Sequence, residues 1–354
     1  MSNIITSSKK NYWSLDVAKL ICALTIISAH FAAERGHFPT LIDYCFSVYV
    51  VAVPFFFCCS GFLFFKKMDS LHTKEAKKEY FIKYQKRLWI MYGIWTLVYL
   101  PFQMYDWAVN CDFVEEVIKF VHRSLVIQTY STIWFLPALA VGIAATYFLV
   151  NKFSKKTVFI IAALLYVFGM FGYTYLFVFE GTPIGTFYDW YLTVFKTTRN
   201  GIFNAIPYIF MGYLISHKQI SPSKKNLLKY ATAAVISLVF LVAESFILKM
   251  KFNVSGMDIG IFVVPFTYFF VIAALHVELK ARKLWLWCRK LSLGVFLSQR
   301  VFLSCMPIVF PDVCELLYES NSYIGLILVV SATIALSVVI VQASKRFKFF
   351  SYFM

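Results

Sequence analysis

Three side chains that can hold charge or move a proton fall on one hydrophobic stretch near the start of the chain: Asp16, Lys19 and His30. On an α-helix, His30 lies about 20° from Lys19 and about 40° from Asp16 around the axis, so one face carries all three. A histidine placed in this way can act as a general base or proton shuttle, with Lys19 and Asp16 positioning a substrate about 16 Å or more away. The structural alternative is an Asp16–Lys19 ion pair, with His30 hydrogen-bonded inside a bundle. Glu34, one turn further on, either orients the imidazole or is solvated.

The composition places these residues in a membrane protein. The 354 residues are 60% hydrophobic and 15% charged, with a mean hydropathy of +0.70. Average soluble domains are about 45–50% apolar and about 25% charged, and their cores stop growing at about 250–300 residues. A soluble enzyme, a disordered protein and a nucleic-acid-binding domain are therefore all poor fits.

Ten segments are long and apolar enough to span a bilayer, which takes about 20 residues in a helix. They lie near 14–33, 44–65, 88–106, 132–150, 157–179, 201–215, 230–248, 259–277, 291–309 and 323–342. No linker, low-complexity tract or repeat separates them. We predict an all-α integral membrane protein, a bundle of about ten transmembrane helices that forms a single domain over 1–354.

The basic residues alternate between the two sides of this bundle. With the N-terminus inside, the cytoplasmic segments hold 25 of the 34 Lys and Arg residues and the opposite loops hold 7, while Lys19 and Arg300 lie within spans. Because Lys and Arg are enriched in cytoplasmic loops, both termini are predicted to be cytoplasmic. The inward segment 66–87 is predicted to be an amphipathic helix on the inner leaflet, and 107–131 an outward loop with helical spacing.

The eight cysteines show no CxxC motif and no Cys/His spacing typical of a metal site, so we expect no metal. Cys111 and Cys314 both fall in predicted outward loops, where a disulfide is permitted. A bond between them and two unpaired thiols are equal alternatives from the sequence.

Polar residues in or beside other spans are further candidates for a binding site. Arg300 lies near the middle of a span and needs a partner, for which we predict Glu244; such a pair can also border a substrate cavity. Arg199 and Asn200 lie outside the short sixth span, where they either hold an acidic or sugar substrate or cap a solvated helix end. Trp134 begins a helix and either contacts substrate or belongs to the aromatic belt.

Several short motifs occur in a fixed order along the chain. After the basic residue and the histidine of the first helix come FCCSGF at 57–62, FIKYQKRL at 81–88, WFL at 134–136, FMGY at 210–213 and SLGVFL at 292–297. This set resembles the membrane acyltransferase family 3, whose members acylate glycans and lipids at the cell surface. Two positions depart from the family's pattern: Tyr84 replaces the first arginine of the basic segment, and Gln299 replaces a histidine that commonly follows the late motif.

The resemblance implies an acyl-CoA donor, most often acetyl-CoA, whose phosphates need a cationic mouth on the cytoplasmic side. Candidate donor-binding residues are Lys19, Lys83, Lys86, Arg87 and Ser60. Anchoring to anionic lipid is an equal alternative for Lys83, Lys86 and Arg87. Helix packing is the alternative for Ser60.

The resemblance also implies an acceptor hydroxyl on an envelope glycan or lipid-linked saccharide, with His30 as the general base, in the inner or plasma membrane. Direct transfer and an acyl-histidine intermediate are both compatible with these residues. A transporter or flippase is the alternative function, and a non-catalytic relative that binds a polar solute is another, favoured by Gln299.

Overall fold

The computed structural model describes residues 11–34, 47–110, 113–126, 132–254, 257–319 and 322–353. Over these residues all regular structure is helical, which confirms the predicted all-α class. The α-helices are α1 Trp13–Glu34, α2 Ala52–Asp69, α3 Lys74–Asn110, α4 Phe113–Val126, α5 Phe135–Lys152, α6 Lys155–Phe171, α7 Pro183–Phe195, α8 Ile206–Ser216, α9 Lys224–Phe252, α10 Val263–His276, α11 Lys283–Arg300, α12 Met306–Val309, α13 Pro311–Glu319 and α14 Ser322–Arg346.

Eight of the ten predicted spans coincide with apolar helices. Six helical stretches among the described residues are long and apolar enough to cross a membrane, namely Trp13–Glu34, Tyr49–Asp69, Phe135–Lys152, Lys224–Phe252, Lys283–Val309 and Ser322–Arg346. Two shorter apolar helices, Gly201–Ser216 and Val263–His276, match the predicted spans 201–215 and 259–277. The predicted span 88–106 lies within α3, and 157–179 runs past the end of α6, where Gly172 is the C-terminal cap.

The two long segments between predicted spans differ from their expected form. Residues 66–87 do not form a separate surface helix: they include the last turn of α2, a short turn and the first part of α3, which continues without a break to Asn110. Residues 107–131 contain the end of α3 and the helix α4, in agreement with the helical spacing of this segment. Cys111 lies outside the described residues, so the structure does not test a disulfide bond between Cys111 and Cys314.

Close helix crossings build the centre of the bundle. The pairs α1–α11 and α2–α8 both pack along their lengths. Gly61 of α2 and Gly212 of α8 lie against each other's helix: a Cβ on Gly61 would collide with the backbone of Ile209, and one on Gly212 with the backbone of Cys58. Small residues permit this approach because they let two helix backbones come together without a side chain between them.

A methyl group at this crossing should destabilise the protein. We expect Gly212→Ala to lower the free energy of unfolding by about 1–3 kcal/mol, since the added carbon meets backbone that cannot move aside. Gly93→Ala in α3 is the matched control, because a Cβ there meets nothing within 4 Å, and helix propensity favours it by about 0.5–1 kcal/mol. Thermal unfolding of both variants in detergent checks this; equal midpoints would contradict the close crossing.

Candidate active site

The His30 imidazole is held in one tautomer by a buried glutamine. His30 Nδ1 lies 2.9 Å from Gln299 Oε1, and Gln299 Nε2 donates to the carbonyl oxygen of Phe296 at 2.8 Å. The amide nitrogen must face this carbonyl, so the amide oxygen faces His30 and accepts a hydrogen bond from Nδ1–H. The neutral ring then carries its basic lone pair on Nε2, the nitrogen that a general base uses.

This histidine lines a small enclosed cavity, here called the His30 pocket. Its volume is about 30 Å³, room for only one or two water-sized groups. The lining residues come from several helices and connecting segments: Ile26, His30, Tyr49, Val53, Thr132, Trp134, Arg199, Asp258 and Phe296. The Tyr49 ring meets the imidazole edge to face, with 5.9 Å between ring centroids.

A charged cluster also lines the His30 pocket. Arg199 Nη1 lies 2.9 Å from Asp258 Oδ2, and the Tyr173 hydroxyl donates to the same oxygen at 3.1 Å. The Arg199 guanidinium also stacks over the Trp134 ring, 4.9 Å from its centroid. Asp258 is buried, and a buried carboxylate needs such charged and hydrogen-bonded partners. The pocket therefore presents a fixed positive group and a fixed negative group to its contents.

One polar atom of a pocket residue has no hydrogen-bond partner among the described residues. The hydroxyl of Thr132 is buried, with 2% of the residue exposed, and makes no hydrogen bond among the described residues. Leaving a buried hydroxyl unsatisfied costs about 1–3 kcal/mol, so such atoms point to a bound group or to water. Among the described residues, the Thr132 hydroxyl is thus left available to a bound polar group or to water.

Two widened helical turns lie directly beside the site residues. A π-helical turn over Gly201–Ala205 follows Arg199 and Asn200, and another over Val301–Cys305 follows Gln299 and Arg300. Such turns are rare in proteins and occur frequently at functional sites. Asn200 caps the first of them: its side-chain oxygen accepts from the backbone nitrogens of Ile202 and Phe203. Asn200 does not line the His30 pocket.

Asp16 and Lys19 lie at the other end of α1. Lys19 Nζ is 3.0 Å from Asp16 Oδ1, the ion pair that the spacing offered as the structural alternative. Arg289 of α11 adds a second bridge, with Nε 2.9 Å and Nη2 2.8 Å from Asp16 Oδ2. Fourteen residues of helix, about 21 Å, separate Asp16 from His30. The structure therefore does not bring Asp16 or Lys19 into the His30 pocket.

A second cavity, here called the Lys66 cavity, lies at this same end of the bundle. Its volume is about 410 Å³, and it is lined by Tyr12, Phe62, Lys66, Lys218, Gln219, Ile220, Ser221 and Leu275. Lys66 Nζ donates to the carbonyl oxygen of Ser216 at 2.9 Å, and Lys218 Nζ to the Tyr268 hydroxyl at 2.6 Å. Two ammonium groups thus border an opening that the sequence analysis did not single out.

The remaining predicted donor residues lie outside the Lys66 cavity. Lys83, Lys86 and Arg87 are exposed on the first half of α3. Ser60 of α2 is within hydrogen-bonding reach of the Tyr84 hydroxyl. None of the four lines either cavity.

The predicted partner of Arg300 is wrong. Arg300 Nη1 pairs with the Glu34 carboxylate and also donates to the Ser304 hydroxyl at 3.2 Å. Glu244 instead accepts from the backbone nitrogens of Ile261 at 2.7 Å and Phe262 at 3.0 Å. Helix contacts explain the difference, because α11 packs on α1 and α9 packs on α10. Arg300 itself does not line the His30 pocket.

Several pocket residues were not identified from the sequence. They include Tyr49, Thr132 and Asp258, and the Tyr173 hydroxyl bonds Asp258 from outside the lining. All four lie in turns or in a short 3₁₀ segment outside the α-helices, where the spacing rules for helix faces do not apply. Asp258 carried the clearest available signal, because it is an acid inside an otherwise apolar stretch with no basic residue beside it.

The fold and these contacts describe a multi-helix membrane protein whose described residues form a small polar pocket around His30. A family model described as an acyltransferase domain, that of acyltransferase family 3, matches residues 12–342. The chain belongs to this family, as the ordered motifs predicted.

Curated relatives carry a different name. The chain is 28% identical over 352 residues to an amino-acid racemase of Enterococcus faecalis, covering 97% of this chain and 47% of the relative. It is 29% identical over 286 residues to a serine/alanine racemase of Enterococcus gallinarum, covering 80% of this chain and 40% of the relative. The chain thus spans about half the length of the curated relatives it matches. No solved structure matches the chain.

The His30–Gln299 hydrogen bond should appear as an energetic coupling. We expect a double-mutant cycle of His30→Ala and Gln299→Leu to give a coupling of about 1–2 kcal/mol, because each single change leaves one buried polar group unpaired. Unfolding of the purified protein by SDS in mixed micelles measures it. Ser298→Ala is the control partner, since the Ser298 hydroxyl bonds Ser337 instead. A coupling no larger than that control would contradict the bond.

Proposed function

We propose that the protein is an integral membrane O-acyltransferase, and that it moves an acyl group, acetyl in the simplest case, from cytoplasmic acyl-CoA to a hydroxyl group. The observation that carries this proposal is the His30 arrangement: Gln299 occupies Nδ1, which leaves Nε2 as a base beside an enclosed cavity. Membership of an acyltransferase family supports the reaction class. The small volume of the pocket favours a small acyl group.

In the proposed step, His30 Nε2 takes the proton of the acceptor hydroxyl. The acceptor oxygen then forms a bond to the thioester carbonyl carbon, and the bond from this carbon to the CoA sulfur breaks. The departing thiolate receives the proton from His30, so the ring returns to its neutral form. The Thr132 hydroxyl, which has no hydrogen-bond partner among the described residues, is a candidate donor to the developing oxyanion.

The donor is proposed to enter from the end of the bundle that carries Lys19. Lys66 and Lys218 border a cavity there, and ammonium groups attract the phosphates of CoA. The ion-paired Asp16 and Lys19 lie between that cavity's end of α1 and His30, along the line that the pantetheine arm would follow. Lys83, Lys86, Arg87 and Ser60 remain proposed donor contacts nearer the surface.

The acceptor is proposed to be an envelope glycan or a lipid-linked saccharide that approaches the His30 end of α1. Trp134 offers an aromatic face and Arg199 a hydrogen-bonding cation, both common in sugar and anion recognition. Each of the two π-helical turns is directly preceded by a proposed acceptor-side residue, Asn200 or Arg300. These two residues are proposed to help position the acceptor through the turns that follow them. The chain is proposed to cross the inner or plasma membrane ten times, with both termini in the cytoplasm.

Replacing His30 should abolish transfer. We expect membrane vesicles with His30→Ala to attach at least 100-fold less base-labile label from radiolabelled acetyl-CoA to the host's envelope glycans than wild type, because a general base contributes about 10²–10⁴-fold. His122→Ala, a change at an exposed histidine of α4, is the matched control and should keep full activity. A His30→Ala protein that is normally expressed and fully active would refute the mechanism.

A second function is favoured by the charged wall of the pocket. Arg199 and Asp258 lie side by side, as the carboxylate and ammonium groups of an α-amino acid require. The racemases that resemble this chain act on amino acids by name, serine and alanine in one case. An amino acid is larger than the pocket in this structure, so the proposal is that the pocket opens around Arg199 and Asp258 and that the amino acid is bound or transported there without acyl transfer.

Binding of amino acids without a donor distinguishes this second function. We expect purified protein to bind radiolabelled serine saturably in the absence of acyl-CoA, with Arg199→Gln reducing affinity at least tenfold through loss of the carboxylate partner. The His30→Ala variant should still bind in this case. Absence of saturable binding of serine and alanine to the wild type would exclude the second function and leave the first intact.

A further inference from the structure

An apolar groove lies between α1 and α9, on a part of the bundle that the proposed reaction does not use. Its volume is about 570 Å³, and α10, which packs against both helices, forms its floor. Alanines give the groove its depth: Ala18 from α1, Ala231 and Ala234 from α9, and Ala273 from α10. It shares no lining residue with the His30 pocket or the Lys66 cavity. We call it the α1–α9 groove.

The groove is open along its length, and its lining is apolar. Among the described residues that line it, Ser14 is the one polar side chain. Water gains no hydrogen-bonding partners in such a place, whereas a hydrocarbon chain makes contacts along the whole wall. In a membrane the natural occupant is therefore an acyl chain.

One end of the groove is surrounded by positive charge. Leu227 lines that end, and its neighbours Lys224, Lys225 and Lys229 are exposed at the start of α9. Leu279 lines it from the other side and is followed by further exposed cations, Lys280, Arg282 and Lys283. Within 222–230 and 277–283 one acid, Glu278, opposes these six cations. The charge at this end complements an anionic headgroup.

We infer that the α1–α9 groove binds an anionic membrane phospholipid, with one acyl chain between the helices and the phosphate beside the lysines that begin α9. The lipid's acyl chain makes the apolar contacts with the groove. The lysines select an anionic lipid, because each Lys near the membrane surface adds to the attraction for a negatively charged headgroup. This inference does not depend on the acyl-transfer proposal, because no residue of that reaction is involved.

Native mass spectrometry of the purified full chain in detergent tests this inference with two lipids of identical acyl chains, phosphatidylglycerol and phosphatidylcholine. We expect one phosphatidylglycerol to bind at least tenfold more tightly than phosphatidylcholine. Val235→Trp, which fills the groove, should reduce phosphatidylglycerol binding at least tenfold. Val239→Trp, one turn further along α9, is the matched control, because both valines are exposed (59% and 63%) but only Val235 lines the groove.

The headgroup contact has its own pair of variants. Lys224→Gln with Lys225→Gln should lower phosphatidylglycerol affinity about tenfold. Lys155→Gln with Lys156→Gln should leave it unchanged, since this second pair of exposed lysines begins α6 and does not border the groove.

Three results would overturn the inference. Equal affinity for the two lipids would contradict selection by charge. An equal loss of phosphatidylglycerol affinity in Val235→Trp and Val239→Trp would contradict the groove as the binding site. A dimer that disappears in Val235→Trp, with no bound lipid in the wild type, would show that a second copy of the chain occupies the groove. Normal thermal unfolding of the four variants confirms that the readout reports binding.

Discussion

Polar side chains inside an apolar helix bundle need partners from the protein, because the hydrocarbon around the bundle supplies none. Among the described residues, three such contacts join α1 to α11. Asp16 meets Arg289 near one end, and His30 meets Gln299 near the other. One turn past His30, Glu34 meets Arg300. Later residues of α1 meet later residues of α11 in all three contacts, so the two helices run parallel.

These contacts between α1 and α11 fix the position of His30. Ion pairs on both sides of His30 resist sliding of α1 along α11, since a shift by one turn would leave buried charges unpaired. The glutamine between them then selects the tautomer of the imidazole. The close α2–α8 crossing adds a second rigid contact to the bundle, and Gly61 and Gly212 make it possible. A site with this support needs little rearrangement when the reacting groups arrive.

The sequence was most informative where helix periodicity applied. The class, most of the apolar helices and the shared face of Asp16, Lys19 and His30 follow from hydrophobic runs and from 100° per residue. Helix periodicity does not indicate which helices are neighbours, so it could not predict contacts between helices. Glu244 was paired with Arg300 because both are charged residues within predicted spans. For the same reason the departure at Gln299 was visible in the sequence, while its contact with His30 was visible only in three dimensions.

The amphipathic appearance of 66–87 had a similar limit. The alternating charges of this segment indicate a helix with one solvent-exposed face. Most of the segment is helical in the structure, but the helix α3 continues into the next apolar stretch. Local pattern therefore predicted the conformation but not the boundary. Arg199 was identified from the sequence, but its partner Asp258 was missed, and so was Thr132. Both lie in connecting segments, where no periodic pattern indicates which way a side chain faces.

The central claim is that Gln299 keeps His30 protonated at Nδ1 and free at Nε2. Solid-state nitrogen NMR of the protein in lipid bilayers, with nitrogen-15 histidine and the His30→Ala variant for assignment, measures this directly. The account predicts a neutral His30 with its proton on Nδ1 and a shift of that signal in Gln299→Leu. A His30 ring that carries its proton on Nε2, unchanged by Gln299→Leu, would contradict it.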